Sequence, residues 1–390
     1  MTPDGIALAL IDIPAALLVY AYAVYPALLW LGSRFRAQTP AFGDPPDWPS
    51  ICILVPAYNE ERIIGGTIDS LLALDYPADR RRIIVMSDAS ADRTDRIVQS
   101  YAGRGVELMR QEERRGKTAA ENAALQLVRE DIVVNTDASV RIRPDAIKPL
   151  VRSFQDPSIG VASGRDTSVG DEQRERNRGE RGYVDYEMRV RALETQLGTL
   201  IGASGCFYAI RREITDHSFP EELSRDFAAP LRARLLGFRT VSVDEAVCAV
   251  PRARGLRAEY LRKVRTMARG LETLWYMRAL LNPWRYGRFA VMLWSHKVAR
   301  WLAFLALPLG VAGLALLALH HTWAAGLFLA TIAGAAIGVL ALRWPADRPI
   351  PRLVMFAGFA LVSCAAGFAA WMRALRQKHY PTWEPTRRPA

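Results

Sequence analysis

The chain has 390 residues, 51% of them hydrophobic and 23% charged, with a formal net charge of +11 and a pI of about 9.7. The two fractions conflict unless apolar and charged residues are segregated, and they are: long apolar runs fill the first 33 residues and the last hundred, while the middle reads as a soluble domain. The basic balance suits nucleic acid, anionic lipid or phosphate-bearing substrates. No zinc-finger spacing, basic heptad arm or aromatic-basic ribonucleoprotein motif is present, so the reading is no nucleic acid, with the membrane as the reason for the charge.

Residues 6–31, from Ile6 to Leu31, form an apolar span long enough to cross a bilayer. No Lys or Arg precedes it, and Arg34 and Arg36 follow it. That pattern argues for an uncleaved helix with its N-terminus outside and against a signal peptide. Residues 37–50 are a Pro-rich linker (Pro40, Pro45, Pro46, Pro49). The pattern then alternates. Strands are expected over 51–55, 83–87, 106–109, 132–135 and 240–243, and helices over 60–74, 92–102, 118–129, 144–154, 183–200 and 226–236. Residues 202–210 are small, apolar and strand-like, and the charged residues 165–182 read as an exposed, mobile loop. Strands alternating with helices predict an α/β, mostly parallel, Rossmann-like sheet covered on both faces, with ligands beyond the carboxyl ends of the strands.

Residues 257–281 mix Arg and Lys with Leu, Trp, Tyr and Met at helical spacing, as in a helix lying on a membrane surface. Three more spans follow, at about 298–319, 323–342 and 353–372, with Arg343, Arg348 and Arg352 marking a cytoplasmic loop. Four crossings place the C-terminus outside, against the basic tail residues Arg373, Arg376, Lys378, Arg387 and Arg388. The domain partition is an N-terminal membrane helix (1–36), a linker (37–50), a catalytic domain (51–255), interfacial helices (256–297), three membrane helices (298–374) and a basic tail (375–390). The four cysteines (52, 206, 248, 364) form no C-x-x-C pair and read as small buried hydrophobes.

Several polar residues follow apolar strands. Asp88 in MSDAS and Asp137 in NTDAS sit at strand ends, where carboxylates of a parallel sheet converge. Mg²⁺ and Mn²⁺ take oxygen ligands, often one or two carboxylates with substrate phosphates, so Asp137 with Ser139 is a candidate pair for a metal-diphosphate. Capping of the following turn is an equal reading of each aspartate. Arg114, Arg115, Gly116 and Lys117 precede a helix and suit phosphate, or form a solvated basic loop. Asp226 in LSRDF is either a helix cap or a general base. Arg262, Lys263 and Arg265 suit anionic lipid or a leaving diphosphate.

Together these segments resemble the membrane-bound family 2 glycosyltransferases of the GT-A fold, over roughly residues 50–302. PAYNE (Pro56, Ala57, Tyr58, Asn59, Glu60) is similar to the family's nucleotide-binding opening, and MSDASADRT with Asp88 to its second nucleotide motif. RRGKTAAENAAL carries its Gly-Lys segment (Gly116, Lys117) and NTDAS its D-x-D position. GASGCFYAIRR, with Gly202, Ala203, Ser204 and Gly205, resembles the stretch lining the acceptor. SRDF holds the place of the base, and RKVRT that of the Q-x-x-R-W motif.

The resemblance implies inverting single displacement from a nucleotide-sugar, of the uridine diphosphate type, to a lipid-linked or glycan acceptor at the membrane. Pro56, Ala57, Tyr58, Glu60 and Asp88 would hold the nucleotide, Asp137 and Ser139 would place Mg²⁺ or Mn²⁺, Lys117 and Arg265 would face the leaving group, and Asp226 would be the base. Three departures stand out: Ser139 replaces the second carboxylate of D-x-D, Arg225 replaces an acidic residue before Asp226, and Arg262 and Thr266 replace Gln and Trp of Q-x-x-R-W. The last weakens a processive, translocation-coupled synthase as the alternative, and the first two keep an inactive nucleotide-sugar or lipid-binding scaffold as another. The expected place is the cytoplasmic membrane, with the catalytic domain facing the cytoplasm and membrane lipids as partners.

Overall fold

The computed structural model describes residues 2–36, 42–169, 178–251, 255–345 and 350–376. The strands are β1 (Ile51–Ala57), β2 (Arg81–Ser87), β3 (Val106–Arg110), β4 (Ile132–Thr136), β5 (Arg141–Ile142), β6 (Ile159–Val169), β7 (Phe207–Arg211) and β8 (Arg239–Pro251). Among the described residues they form one sheet in the order β3-β2-β1-β4-β7-β6-β8-β5. The half β3-β2-β1-β4 is parallel throughout. The sheet then becomes mixed, because β7 runs antiparallel to both β4 and β6, and β5 antiparallel to β8.

The sequence of β1 explains its central place. All seven of its residues are buried, and alternate side chains enter different cores. Ile51, Ile53 and Val55 join Ile64, Ile68 and Leu71 on one face. Cys52 and Leu54 join Ala120 and Ala124 on the other. Each such Ile, Leu or Val stabilises the fold by roughly 1.5–3 kcal/mol, and a charge on either face of β1 would break it.

Helices cover both faces: α1 (Pro3–Val19) and α2 (Tyr25–Ser33) precede the sheet; α3 (Ile64–Leu72), α4 (Thr94–Gln99), α5 (Lys117–Leu125), α6 (Ile147–Arg152), α7 (Arg178–Gln196) and α8 (Arg225–Leu235) lie within it in sequence; α9 (Leu256–Tyr276), α10 (Pro283–Tyr286), α11 (Arg288–Leu293), α12 (Ala299–Ala318), α13 (Thr322–Leu342) and α14 (Arg352–Leu375) follow. Among the described residues four helical runs are long and apolar enough to cross a membrane: Pro3–Ser33, Arg288–Ala318, Thr322–Leu342 and Arg352–Leu375. The chain is a membrane protein built from an α/β domain and these helices.

The first and second spans touch at backbone distance. A Cβ on Gly313 would lie 2.5 Å from the Ala7 carbonyl oxygen, and one on Gly310 2.9 Å from Pro14 Cγ. Without a hydrophobic drive between helices in lipid, such small residues supply the packing. The helix α9 joins the membrane helices to the sheet domain. Its Ala268 and Leu271 pack with Ala370 of α14, while its Thr273 hydroxyl accepts from the Ser224 amide at 2.9 Å.

Four expectations need correction. Strand β6 continues through Val169 and α7 begins at Arg178, so the expected loop over 165–182 is narrower; residues 170–177 lie outside the described residues. Arg165 and Asp166 hid the strand by composition, but pairing with β8 is a backbone property. Residues 202–206 are not strand; β7 starts at Phe207. The helix expected from Glu60 starts at Ile64, because Asn59 takes φ +52° and the Glu60 amide donates to Thr94 Oγ1 at 2.8 Å. The second span starts at Arg288, ten residues earlier than 298: His296, Lys297 and Arg300 interrupt its apolar pattern, yet His296 and Arg300 are packed inside and Lys297 is half-buried. The basic tail lies outside the described residues from 377 onward.

Candidate functional site

In the sheet order, β2 and β3 lie on one side of β1 and β4 on the other, so the chain reverses its winding between β1 and β4. Crevices at the carboxyl ends of such strands are where open α/β sheets bind ligands. Pairing of β1 with β4 stops at Leu54–Asn135, before Pro56, which has no N–H to offer a ladder. Pro56 and Ala57 end β1 at this crevice, and Asp137 follows β4 beside it.

Two turns line the crevice on the β1–β2 side. Asn59 (φ +52°) and Ala89 (φ +56°) both adopt the left-handed region without being glycine. Such residues cost on the order of 1–3 kcal/mol and persist where neighbours over-determine them. The bracing is visible: Asn59 Oδ1 accepts from the Ala91 amide at 2.8 Å, and Ser90 Oγ accepts from the Asn59 amide at 3.2 Å. The Tyr58 ring is faced by the Arg114 guanidinium, 3.9 Å from its centroid.

Asp88 is buried, and each of its carboxylate oxygens accepts a backbone N–H, from Arg115 and from Gly116, both at 2.8 Å. It therefore ties the end of β2 to the turn that opens α5. The next residue, Lys117, donates from Nζ to Asp137 Oδ1 at 2.5 Å. Burial on its own lowers the Lys117 pKa, but the Asp137 and Glu121 carboxylates outweigh it and hold the ammonium above the usual lysine range. Ser139 is buried in the turn after Asp137.

The acceptor-like turn is joined to the same edge. Thr136 Oγ1 donates to the Cys206 carbonyl at 2.9 Å. A Cβ on Gly205 would sit only 2.9 Å from Asp226 Oδ2, so glycine is what lets the turn approach that carboxylate. Asp226 is half-buried in the first turn of α8, with Oδ1 accepting from Ser224 Oγ at 2.6 Å. The Ala203 amide donates to the Asp226 carbonyl at 3.0 Å. Gly202 lies against Phe227. Asp137 and Asp226 thus flank the Gly205–Cys206 turn, with Lys117 on the Asp137 side.

Two contributors escaped the sequence reading. Asp166, on β6, accepts from Ser204 Oγ at 2.5 Å, while Ser163 Oγ accepts from the Ser204 amide at 2.8 Å. Its charge gives residue 166 a loop-like composition, and only its pairing with Cys248 of β8 places it on a strand. Arg269 lies one turn beyond the expected Arg265 on α9, and its Nη2 donates to Thr118 Oγ1 at 2.9 Å, to the Glu221 carbonyl at 3.0 Å and to the Leu223 carbonyl. The spacing of four was a readable signal, since both project from one helix face. Arg265 itself is half-buried on α9.

Among the described residues no group of three His, Cys, Asp or Glu side chains could hold a metal ion. The donor set of Asp137 with Ser139 fits Mg²⁺ or Mn²⁺ only together with substrate phosphates, a common arrangement for hard cations that keep few protein ligands.

Residues 52–219 match the family described as glycosyl transferase family 2. The N-acetylglucosaminyltransferase of Sinorhizobium fredii is 29% identical over 352 residues, covering 83% of this chain and 80% of that protein. The beta-monoglucosyldiacylglycerol synthase of Synechocystis sp. is 34% identical over 122 residues, 30% of this chain and 26% of the synthase, so the chain spans about a quarter of that relative's length. In fold, the chain is similar to a mannosyltransferase from Pyrobaculum calidifontis, solved with GDP-Man and Mn²⁺, with a TM-score of 0.71 over 96% of this chain and 99% of that one at 24% identity.

Proposed function

Because residues 52–219 match glycosyl transferase family 2, we propose that the chain is a member of it and moves one hexosyl or N-acetylhexosaminyl group from a nucleotide-sugar to a lipid-linked or growing glycan acceptor at the cytoplasmic membrane, with inversion. The observation that carries this reading is the Gly205–Asp226 junction: an acceptor-side turn held against a single half-buried carboxylate, with Lys117 and Asp137 on the turn's other side.

In this reading the nucleotide lies over Pro56, Ala57, Tyr58 and Glu60 at the end of β1, with Asp88 fixing the turn that presents Lys117 to the diphosphate. Lys117 and Arg265, with Arg269 holding α9 to the start of α5, add positive charge where the diphosphate leaves. Asp137, aided by Ser139, would hold Mg²⁺ or Mn²⁺, which screens the charge developing on the departing diphosphate. Gly202, Ala203, Ser204 and Gly205 line the acceptor. Asp226 accepts the proton of the acceptor hydroxyl as its oxygen bonds to the anomeric carbon and the bond from that carbon to the diphosphate breaks. Residues 51–255 are the catalytic domain, the stretch from 256 to the start of the second apolar run at Arg288 is the interfacial connector, and the apolar helices are the anchor. We take the donor to be of the uridine diphosphate type, and the GDP-Man bound by the Pyrobaculum enzyme makes the guanosine type the comparison arm.

The test is nucleotide release by the full chain in nanodiscs, across a panel of nucleotide-sugars, with Mn²⁺ or Mg²⁺ and a lipid extract as acceptor. Loss of a general base costs about 10²–10⁴-fold in rate. Asp226→Asn is therefore expected to lose transfer by that factor while donor affinity stays within about twofold. Near-normal turnover in the variant removes Asp226 from the base role, and absence of donor binding across the panel overturns the glycosyl-transfer reading of the site.

A further inference from the structure

Below the acceptor-side turn, α7 and the first two membrane spans enclose a buried charged cluster that the transfer chemistry does not use. His296 hydrogen-bonds Glu194 Oε1 through Nδ1 at 2.7 Å and Glu187 Oε1 through Nε2 at 2.8 Å. Arg300 Nη1 donates to Glu187 Oε2 at 2.9 Å, and the Tyr25 hydroxyl donates to Glu194 Oε1 at 2.6 Å. His296, Glu194 and Arg300 are 1%, 0% and 4% exposed. Both spans take π-helical form at this level, over Tyr20–Val24 and Trp294–Val298, and Tyr20 and Ser295 hydroxyls join them at 2.7 Å. Such turns are rare and concentrate at functional sites.

The charges in this cluster do not cancel. α7 brings Glu187, Glu194 and Arg191, and the second span brings His296, Lys297 and Arg300. Three basic side chains, Arg191, Lys297 and Arg300, face two carboxylates, so with all of them ionised one positive charge is left over. Arg300 is matched to Glu187, yet its Nε and Nη2 remain buried without hydrogen-bond partners, as does Arg191 Nη1. Lys297 has no hydrogen bond and no carboxylate within 4.0 Å among the described residues. Its ammonium instead lies 5.7 Å from the centre of the Phe227 ring, and its Cε is 3.9 Å from where a Cβ on Gly202 would be. Phe227 directly follows Asp226. The uncompensated cation is thus carried on a membrane helix and aimed at the acceptor side of the site, whereas the Lys117–Asp137 pair stands at the crevice between β1 and β4. A half-buried cation with no anionic partner in contact is poorly compensated, and a ligand that brings a negative charge to it is correspondingly favoured.

We infer that Lys297, backed by the Arg191–Arg300 cluster, is the binding site for the phosphate of a membrane lipid, and that this phosphate positions the lipid acceptor beneath Asp226. The lipid is the source assigned here because the cation sits on a membrane span; a soluble phosphate and the donor's diphosphate are the alternatives the test separates. The inference rests on the acceptor-side reading of Asp226, but its binding measurement requires no sugar transfer, so failure of catalysis and failure of this site are distinguishable.

The test uses the full chain in neutral phosphatidylcholine nanodiscs and three probes: dioleoyl phosphatidic acid against dioleoylglycerol, which differ by the phosphate alone, glycerol 3-phosphate as the soluble phosphate, and UDP for the donor site. Bound lipid is counted by native mass spectrometry. The wild type is expected to prefer phosphatidic acid to dioleoylglycerol by at least about tenfold and to ignore glycerol 3-phosphate. Lys297→Met is expected to weaken phosphatidic acid binding by about 10–100-fold, the effect of losing a hydrogen bond to a charged group, with dioleoylglycerol and UDP binding unchanged and Lys297→Arg retaining most of the preference. The inference is overturned if Lys297→Met binds phosphatidic acid like the wild type, if it loses UDP affinity in the same proportion, or if glycerol 3-phosphate competes as well as the lipid. Should Lys297→Met fail to assemble, equal binding of the matched lipid pair by the wild type overturns it just as well.

Discussion

Gly205→Ala puts one methyl group where the candidate base sits. The added Cβ would stand 2.9 Å from Asp226 Oδ2 and 3.4 Å from its Cγ. An ordinary carbon contact needs about 3.5 Å, so the carboxylate must move by roughly 0.5 Å. It is not free to swing, because Ser224 Oγ donates to its other oxygen at 2.6 Å. Misplacing a reacting group by about 1 Å costs on the order of 10²-fold, so kcat is expected to fall about 10- to 100-fold, equivalent to ~1.4–2.7 kcal/mol. Folding should not suffer: Gly205 is not among the glycines with positive φ, and Gly→Ala at a compatible site stabilises by about 0.4–1 kcal/mol. The assay is nucleotide release under saturating donor, for Gly205→Ala, Asp226→Asn and the double variant. If the methyl acts through the carboxylate, it should cost nothing more once Asp226 is Asn. A full additional loss in the double variant, or wild-type kcat in Gly205→Ala, would refute the geometric argument.

Lys117→Met should lower donor affinity about 10–100-fold, the loss of a charged hydrogen bond, in a titration of the nucleotide. Because Asp137 and Glu121 overcome burial and raise the Lys117 pKa above the ordinary range, the cation's contribution is fully present below the usual lysine value and is lost only above it. Wild-type donor affinity is therefore expected to stay level from pH 8 to pH 10, and a decline across that window would contradict the pairing. Gly313→Leu should overpack the contact with Ala7 and Leu10, at about 1–3 kcal/mol, and lower the thermal stability of the detergent-solubilised chain while leaving nucleotide affinity unchanged.

The centre of the parallel half was legible because β1 and β4 are short, doubly buried runs bounded by polar turns, Ile51–Ala57 and Ile132–Thr136. What stayed hidden are the places where a polar residue does internal work. Asp166 reads as loop composition, yet on β6 it holds Ser204. His296 and Arg300 read as the edge of a membrane span, yet Glu187 and Glu194, a hundred residues earlier, make their burial possible. Hydropathy averages over neighbours in sequence and is blind to such distant compensation. The motifs were easier, since strand-end position alone brings Asp88 and Asp137 to one edge; the role of Asp88 in holding the Arg115 and Gly116 amides, and so the start of α5 at Lys117, needed coordinates.

The departure at Arg225 gains a physical meaning from the same comparison. An acidic residue there would have set a second carboxylate beside Asp226. Arg225 instead turns inward: it is 4% exposed, its Nη1 lies 3.8 Å from Glu121 Oε2, and its guanidinium carbon is 5.2 Å from the Phe219 ring centre. Glu121, 1% exposed, belongs to α5, one turn after Lys117. The pair places opposite charges between α8 and α5 without a hydrogen bond between them, and Arg269 ties the same two regions through Thr118 and the Leu223 carbonyl. Buried ion pairs add little net stability, but breaking one is expensive, so they hold geometry better than they hold the fold together. What they hold here is the spacing between Lys117 and Asp226, the separation in which the proposed single displacement would tolerate least error. In the proposed mechanism the residue at 225 therefore supports the candidate base from within, because Arg225 helps fix where Asp226 stands.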